Sequence, residues 1–374
     1  MAQIPQTDPH ANYRSHSIGI DAAVQRVLDS GWYVLGNEVA AFEREFAGFV
    51  GTAHAVGVAS GTDALELALR ACGVGPGDLV FTVSHTAVAT VAAIDLTGAT
   101  PVLVDIDPQS YTMDVDCLQA ALRHPPDGRP RAVVPVHLYG HPADMPGICQ
   151  LAEKYGLRVV EDCAQAHGAA INGSRAGTWG HMAAFSYYPT KNLGALGDGG
   201  AVVSGNPELA DSVRVFREYG WRKRYVSETP GGNSRLDALQ AAILRAKLPH
   251  LDSENVMRRS HARRYRELLA EAKISLPTVS YDVEHVYHQF VVRTKQRDAL
   301  REHLREHGVS SAIHYPVPVH QQPAYAGRVK VAGELAHSDA AADEILSLPM
   351  YPELSSEAVE TVARHILDWS GLNQ

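Results

Sequence analysis

Between residues 54 and 204 the apolar positions fall into short β-branched runs separated by stretches of helical spacing. The runs cover residues 54–59, 78–83, 101–105, 131–136, 157–161, 182–187 and 201–204, which predicts seven strands. Strands alternating with helices build a mostly parallel sheet covered on both faces, and ligands of such sheets collect at the carboxyl ends of the strands. The residues just after each run are therefore the ones to read for chemistry. Ahead of this block, Ile20, Val24, Val27 and Leu28 lie at helical spacing within residues 17–30 until Gly31 stops them, and Val39, Phe42, Phe46 and Phe49 mark a second amphipathic helix. The segment between them, residues 32–36, is too apolar and aromatic for an ordinary surface loop and is expected to pack on a partner subunit.

Pro249 is taken as the domain boundary. Beyond it come an arginine-rich helix (252–270), a strand of period two (286–294), a helix (296–307) and a proline-rich segment (310–323), which together make an α+β unit. The expected organisation is an N-terminal segment with a large α/β domain over residues 1–249 and a smaller C-terminal α+β domain over 250–374.

Composition narrows the function classes. The chain has 374 residues, 45% apolar and 20% charged, as an ordinary globular protein has. Its net charge of −9 argues against nucleic-acid binding, so an anionic ligand has to be held by a local cluster. Cys72, Cys117, Cys149 and Cys163 are isolated and read as free thiols. With a polar N-terminus and no run of about 18 apolar residues, neither a signal peptide nor a membrane span is expected, and the protein is placed in the cytoplasm. The 19 histidines include no H-E-x-x-H pair, so they are assigned to surface and packing and no metal is expected.

The chemistry-bearing stretches follow the predicted strands. Residues 185–200 read F-S-Y-Y-P-T-K-N-L-G-A-L-G-D-G-G, in which Pro189 ends the strand and Lys191 stands on a loop whose glycines allow backbone to approach a flat ring closely. A primary amine there can form a Schiff base with an aldehyde; equally, a loop lysine can be a solvated charge. After the first strand, Gly61 and Thr62 open a helix whose free amides suit a phosphate, unless Ser60 is simply its N-cap. After the fifth, Asp162 is costly to bury without a cationic partner, which a protonated pyridine nitrogen would provide; capping of the next helix is the other reading. Residues 214–225 form a basic cluster interleaved with aromatics, either a solvated face or a grip on a phosphorylated ligand. Ser234 and Asp237 look like a capping pair, which would put Asn233 at a helix N-terminus.

Taken together, A-S-G-T-D-A-L at 59–65, V-V-E-D-C-A-Q-A-H-G-A at 159–169, the lysine loop at 185–200, N-S-R-L-D-A-L-Q-A-A at 233–242 and H-Y-P-V-P-V-H-Q-Q-P-A-Y at 314–325 resemble the DegT/DnrJ/EryC1/StrS sugar aminotransferases. The likeness runs over nearly the whole chain. It implies an α/β fold of fold type I, like aspartate aminotransferase, with pyridoxal 5'-phosphate as cofactor. It implies that Lys191 binds the cofactor covalently and moves the substrate proton, and that Asp162 pairs with the pyridine nitrogen, keeping the ring an electron sink. Gln165 is similar to the residue beside the ring hydroxyl. Gly61, Thr62 and Ser186 match the phosphate cradle, and Asn233 matches a phosphate ligand from the neighbouring subunit, which implies a homodimer with shared sites. Where relatives carry a stacking aromatic, Thr86-Ala87-Val88-Ala89-Thr90 has alanine, and His85 is the expected substitute. Tyr188, Arg222, Lys223, Arg224, Tyr225, Tyr315 and His320 are the candidates for the substrate side.

By the same resemblance, L-glutamate gives its amino group and leaves as 2-oxoglutarate, and a ketosugar linked to a nucleoside diphosphate receives it in a ping-pong sequence. The Y-P-T-K-N-L-G-A-L-G-D-G-G loop with H-L-Y-G-H-P-A-D at 137–144 looks most like enzymes of 3-keto sugars such as dTDP-3-keto-6-deoxyhexoses. Relatives acting on 4-keto sugars or cyclitols more often have G-E-G-G after the lysine, and that reading is the alternative, as is a regulator that binds the cofactor without turnover. A dehydratase of this fold has histidine in place of Lys191, and a nicotinamide enzyme would show G-x-G-x-x-G after an early strand, which is absent.

Overall fold

The computed structural model describes residues 3–372, so residues 1–2 and 373–374 of the two expected units lie outside it. Helix α1 spans Pro9–Ser30; the Asp8 side chain accepts from Ala11 N at its start, and Gly31 stops it with a left-handed φ of 65°. It begins at Pro9, about two turns earlier than its apolar spacing predicts, because the Asp8 cap and Pro9 start it in the polar stretch ahead of residue 17. Helix α2, Asn37–Val50, buries Val39, Phe42 and Phe46.

All seven predicted strands form. They are β1 (His54–Val58), β2 (Asp78–Val83), β3 (Thr100–Val104), β4 (Arg129–Val133), β5 (Arg158–Asp162) and, after the two-residue strands β6 (Ala170–Ile171) and β7 (Ser174–Arg175), β8 (Met182–Ser186) and β9 (Gly200–Ser204). Helices α3 (Gly61–Ala71), α4 (Val88–Leu96), α5 (Val115–Arg123), α6 (Met145–Tyr155) and α7 (Pro207–Phe216) alternate with them. The sheet runs β1-β9-β8-β5-β4-β2-β3. β9 is antiparallel to both its neighbours, while the rest run one way. Both faces are packed: Phe81, Val104, Leu118 and Ile148 belong to one core and Leu65, Leu69, Ile94 and Val202 to another.

A short exposed hairpin, β10 (Trp221–Lys223) and β11 (Val226–Ser227), leads to α8 (Ala238–Lys247), against which Ala23 and Val27 of α1 pack. The expected capping pair is corrected here. Ser234 Oγ donates to Asp63 Oδ2 at 2.5 Å and accepts from Ala59 N at 3.1 Å, and Asp237 makes no side-chain cap bond to α8. Asn233 accordingly lies in an extended bridge with Glu218, not at a helix start.

The 3-10 turn Leu248–His250 joins α8 to α9 (Leu251–Leu268). Then come β12 (Val283–Glu284), β13 (Phe290–Arg293), α10 (Arg297–Glu306), β14 (Lys330–Val331), α11 (Ala336–Glu344), β15 (Ile345–Leu348) and α12 (Ser356–Leu372). β13 and β15 pair antiparallel over a core that includes Tyr265, Phe290, Leu300, Leu304 and Ile366. β13 is shorter than expected because the residues before it turn to the segment after β4, where Val286 N and Gln289 N donate to the carbonyls of Gly140 and Tyr139. Three further ties cross between the units. β14 joins β3 as an eighth, parallel strand, β12 pairs with β6, and the chain start bonds to the C-terminal unit through Ile4 N to Gly308 O and Met350 N to Gln6 O.

Candidate active site

A cavity of about 260 Å³ opens at the carboxyl ends of the strands. Its walls are Ser60, Gly61 and Thr62 after β1, Thr86, Ala87 and Ala89 after β2, Asp162 and Gln165 at β5, and Ser186, Tyr188 and Lys191 after β8. Antiparallel β9 begins where the others end, so Gly199 closes the same rim. A second cavity of about 640 Å³, lined among others by Asp107, Asp114, Asp144 and Asp282, has no lysine in its lining.

The lysine loop is held from within and from below. Tyr187, fully buried, meets Phe42 and Phe46 edge to face, and its N–H donates to Gly199 O at 2.8 Å. Lys191 N donates to Tyr188 O at 2.8 Å, closing a turn that aims the side chain into the cavity. Asn192 fixes the next position, donating to Asn255 Oδ1 at 2.9 Å and Val286 O at 3.1 Å. Lys247 Nζ donates to Gly194 O from beneath. Burial brings the pKa of Lys191 down to about 8, while the nearby Asp162 carboxylate pulls it up. Burial first, and the lysine's charge second, lower His167 to about 3 and His314 to about 4. The imidazoles around the amine are therefore neutral.

Successive residues of a strand face opposite sides of the sheet, and the pair at the end of β5 uses this. Glu161 points away from the cavity and accepts from Gly177 N, Trp179 N and Gly180 N at 2.7–2.9 Å, and from His137 Nε2 at 3.0 Å. Asp162 points into the cavity with Thr90 Oγ1 donating at 2.8 Å and Ala164 N at 3.1 Å. Burial raises the pKa of Asp162 against those two bonds and Lys191, so a cation placed against it would offset the cost of its charge. Gln165 is held at both ends: its Oε1 accepts from Tyr139 N at 2.7 Å and its Nε2 donates to Tyr315 Oη at 3.1 Å.

The opposite corner suits an anion. Ser60 does cap α3, accepting from Asp63 N at 3.1 Å, so the two readings of this motif coexist. The amides of Gly61 and Thr62 head the helix and have no acceptor within it. A Cβ at Gly61 would lie 2.6 Å from Ser186 Cβ, and one at Gly200 would lie 2.3 Å from Ser60 O. Only glycine lets these strand ends close into a cradle of amides and hydroxyls. A primary amine, a buried carboxylate across from it and an anion cradle are the three grips that pyridoxal phosphate requires, and the residues present fit it.

Thus Gly61, Thr62, Asp162, Gln165, Ser186, Tyr188 and Lys191 come together, with Tyr315 reaching in through Gln165. His85 does not line the cavity: its ring is buried with Nε2 2.8 Å from Tyr139 Oη, and Thr86, Ala87 and Ala89 form the wall instead. The stacking expected of it finds no support in this geometry. His320 is engaged elsewhere, with Nδ1 2.7 Å from Ser84 Oγ and Nε2 3.3 Å from Asp339. Asn233 and Arg222, Lys223, Arg224 and Tyr225 are exposed and outside the cavity of their own chain. Arg222 pairs with Asp211 at 2.5 Å. Thr90, Tyr139 and Asn192 lie within stretches read from the sequence but are not singled out there, and Lys247 lies in none of them; all four are supporting residues.

The sequence profile of the DegT/DnrJ/EryC1/StrS aminotransferase family matches residues 17–367. Among curated relatives, dTDP-3-amino-3,4,6-trideoxy-alpha-D-glucose transaminase of Streptomyces venezuelae is 49% identical over 98% of this chain and 96% of its own length. UDP-N-acetyl-3-dehydro-alpha-D-glucosamine 3-aminotransferase of Acidithiobacillus ferrooxidans is 46% identical over 96% of each. Among solved structures, S. venezuelae DesV in complex with a ketimine intermediate superposes with a TM-score of 0.95 at 49% identity, covering 99% of both chains.

Proposed function

The chain belongs to the DegT/DnrJ/EryC1/StrS aminotransferase family, and from that premise we propose that it transfers the amino group of L-glutamate to C-3 of a nucleoside-diphosphate-linked ketosugar, using pyridoxal 5'-phosphate. The observation that carries this reading is the cavity in which Lys191, Asp162 and the Gly61–Ser186 cradle converge. The relatives' names favour C-3, since both place the nitrogen there although one sugar is carried by dTDP and the other by UDP. A dTDP-3-keto-6-deoxyhexose is the substrate type proposed.

When bound, the cofactor supplies an aldehyde that condenses with primary amines and a ring that takes up the electron pair left by a broken C–H bond. Lys191 is the amine that holds it. With its pKa lowered to about 8, the amine has a neutral fraction of roughly a tenth at pH 7, far above that of a free lysine, and in that form it could take the α-proton of glutamate and then return a proton to the sugar carbon. Asp162 would keep the ring nitrogen positively charged, and Thr90 and Ala164 hold its carboxylate in place. Gln165, itself held between Tyr139 and Tyr315, would face the ring, and the Gly61 and Thr62 amides with Ser186 would hold the phosphate and keep the cofactor in position.

We further propose a homodimer in the cytoplasm. Trp32 and Tyr33 are 64% and 48% exposed, an apolar segment suited to a partner's surface, and Tyr225 is 75% exposed on the hairpin. Asn233 and the 222–225 hairpin would then serve the partner's cavity, with Tyr188 and Tyr315 on the sugar side of their own. The four cysteines are free, as in a reducing compartment, and no helix among the described residues is long and apolar enough to cross a membrane.

The deciding experiment incubates the protein with L-glutamate and matched 3-keto and 4-keto nucleotide sugars and locates the new amine by NMR. Nitrogen at C-3 is the expected result. Nitrogen at C-4 would reassign the substrate, and a yellow protein that glutamate cannot bleach would make it a cofactor-binding regulator.

A further inference from the structure

Far along the chain from the lysine loop, three imidazoles meet where α10 ends against α12. His303 lies in the last turn of α10 and His307 is its C-cap, so their spacing of i and i+4 puts both rings on one side of the helix end. His365 of α12 faces them: ring centroids are 4.3 Å apart for His303 and His307, 4.6 Å for His307 and His365, and 6.4 Å for His303 and His365. One ring nitrogen of each lies within 4.8 Å of the other two. From this geometry we propose that His303, His307 and His365 bind one divalent transition-metal ion, zinc in the first instance, which pins α10 to α12 in the small domain.

The details favour a ligand set over a chance contact. His307 Nδ1 is 2.8 Å from the His303 carbonyl oxygen, which keeps the proton on Nδ1 and leaves the Nε2 lone pair free. A second ring nitrogen bonded to a backbone carbonyl is the usual support of a metal-binding histidine. His303 Nε2 is buried and has no hydrogen-bond partner among the described residues, so an ion would satisfy it. The partial negative charge of the carbonyls ending α10 favours a cation at this spot. Zinc at about 2.0–2.1 Å from each nitrogen needs them about 3.4 Å apart, which small ring rotations achieve from the spacing seen. An all-imidazole set suits zinc, nickel or copper and not calcium or magnesium, and it leaves the fourth position to water.

Two other groups of potential ligands are already satisfied within the protein. Glu161, beside His137 and Cys163, takes three backbone amides, and Glu254 takes His16 and Asn12. The H-x-x-x-H spacing at 303–307 is visible in the sequence, but the third ligand is supplied only by the fold. None of the three histidines lines the Lys191 cavity, so the ion would be structural.

The test uses full-length, cofactor-loaded enzyme stripped of metal with a chelator and titrated with Co²⁺, then Zn²⁺. Wild type is expected to bind one Co²⁺ per chain with the visible bands of four-coordinate cobalt, to release it to Zn²⁺ and to melt at a higher temperature with Zn²⁺ than without. H303Q and H365Q are each expected to weaken binding by roughly tenfold to a hundredfold or more and to lose the thermal shift. H16Q, altered in a different cluster, should keep both. Retained cofactor absorbance and turnover establish that each variant is folded, and H307Q, changed at the helix end, provides a third reading if either fails. Less than one equivalent of Co²⁺ in wild type, or unchanged binding in the folded histidine variants, overturns the proposal.

Discussion

Lys191 and Lys247 have much the same electrostatics and different jobs. Burial lowers both to a pKa of about 8, and nearby carboxylates pull both back up, Asp162 for the first and Glu254 with Glu353 for the second. The difference lies in what each amine can reach. Lys191 ends in a cavity beside an anion cradle, whereas Lys247 Nζ is spent on the carbonyl of Gly194, in the same loop that carries Lys191. A lowered lysine pKa therefore marks burial, and access to the cavity marks chemistry.

The comparison is broken most directly by removing each amine in turn. Lys191→Ala should lower kcat by roughly 10⁴-fold or more, because the attachment point and the proton carrier go together. Lys247→Met should leave kcat within about tenfold of wild type while costing about 1–3 kcal/mol of stability, since the Gly194 carbonyl loses its donor. Borohydride reduction followed by peptide mapping should put the pyridoxyl label on Lys191 in both wild type and Lys247→Met. A label on Lys247 in either would reverse the two assignments.

This pair also shows what could be read in advance. The sheet was legible because its strands, buried on both faces, are continuous apolar runs, and residues following β1, β5 and β8 do line the cavity. Lys191 was legible because a proline and four glycines around it are unusual for a surface lysine, and because the motifs resemble those of a known family. Lys247 was not, since a lysine near the end of a helix normally extends into water, and only the fold shows that this one is buried. Ser234 failed for a related reason: a capping pattern is local, while its actual partners, Asp63 and Ala59, come from another element. His85 and His320 each spend one ring nitrogen on a partner that no spacing announces, Nε2 of the first on Tyr139 and Nδ1 of the second on Ser84.

Asp162 sharpens the comparison from the other side of the cavity. Asp162→Asn keeps the shape and the Thr90 bond but removes the charge, and kcat should fall by roughly 10²–10³-fold while the lysine label survives. A smaller loss would mean that the ring nitrogen is not held as a cation. Arg222→Glu is expected to raise the KM for the nucleotide sugar about tenfold and leave that for glutamate unchanged. Mixed dimers of Lys191→Ala and Arg222→Glu chains would then carry one intact site, built from the lysine of one chain and the hairpin of the other. Recovery of activity on mixing supports shared sites; no recovery places the hairpin in its own chain's business.

The smallest effect separates the two lysines by titration. In the native apoprotein each has a pKa of about 8, against 10.5 for a free lysine. Between those values these two positions hold more protons in the unfolded chain than in the native one, so their contribution to stability rises with pH from about 8 and levels off near 10.5. Below about 8 both states are protonated and the penalty for burying the charge is at its full size. Urea unfolding at several pH values from about 8 to about 10 should therefore show a less positive slope in the Lys247→Met apoprotein than in the wild-type apoprotein; the cysteines, whose pKa burial raises, pull the slope the other way equally in both. An apoprotein slope that Lys247→Met leaves intact would mean that Lys247 stays protonated in its bond to Gly194, and that its likeness to Lys191 ends at burial.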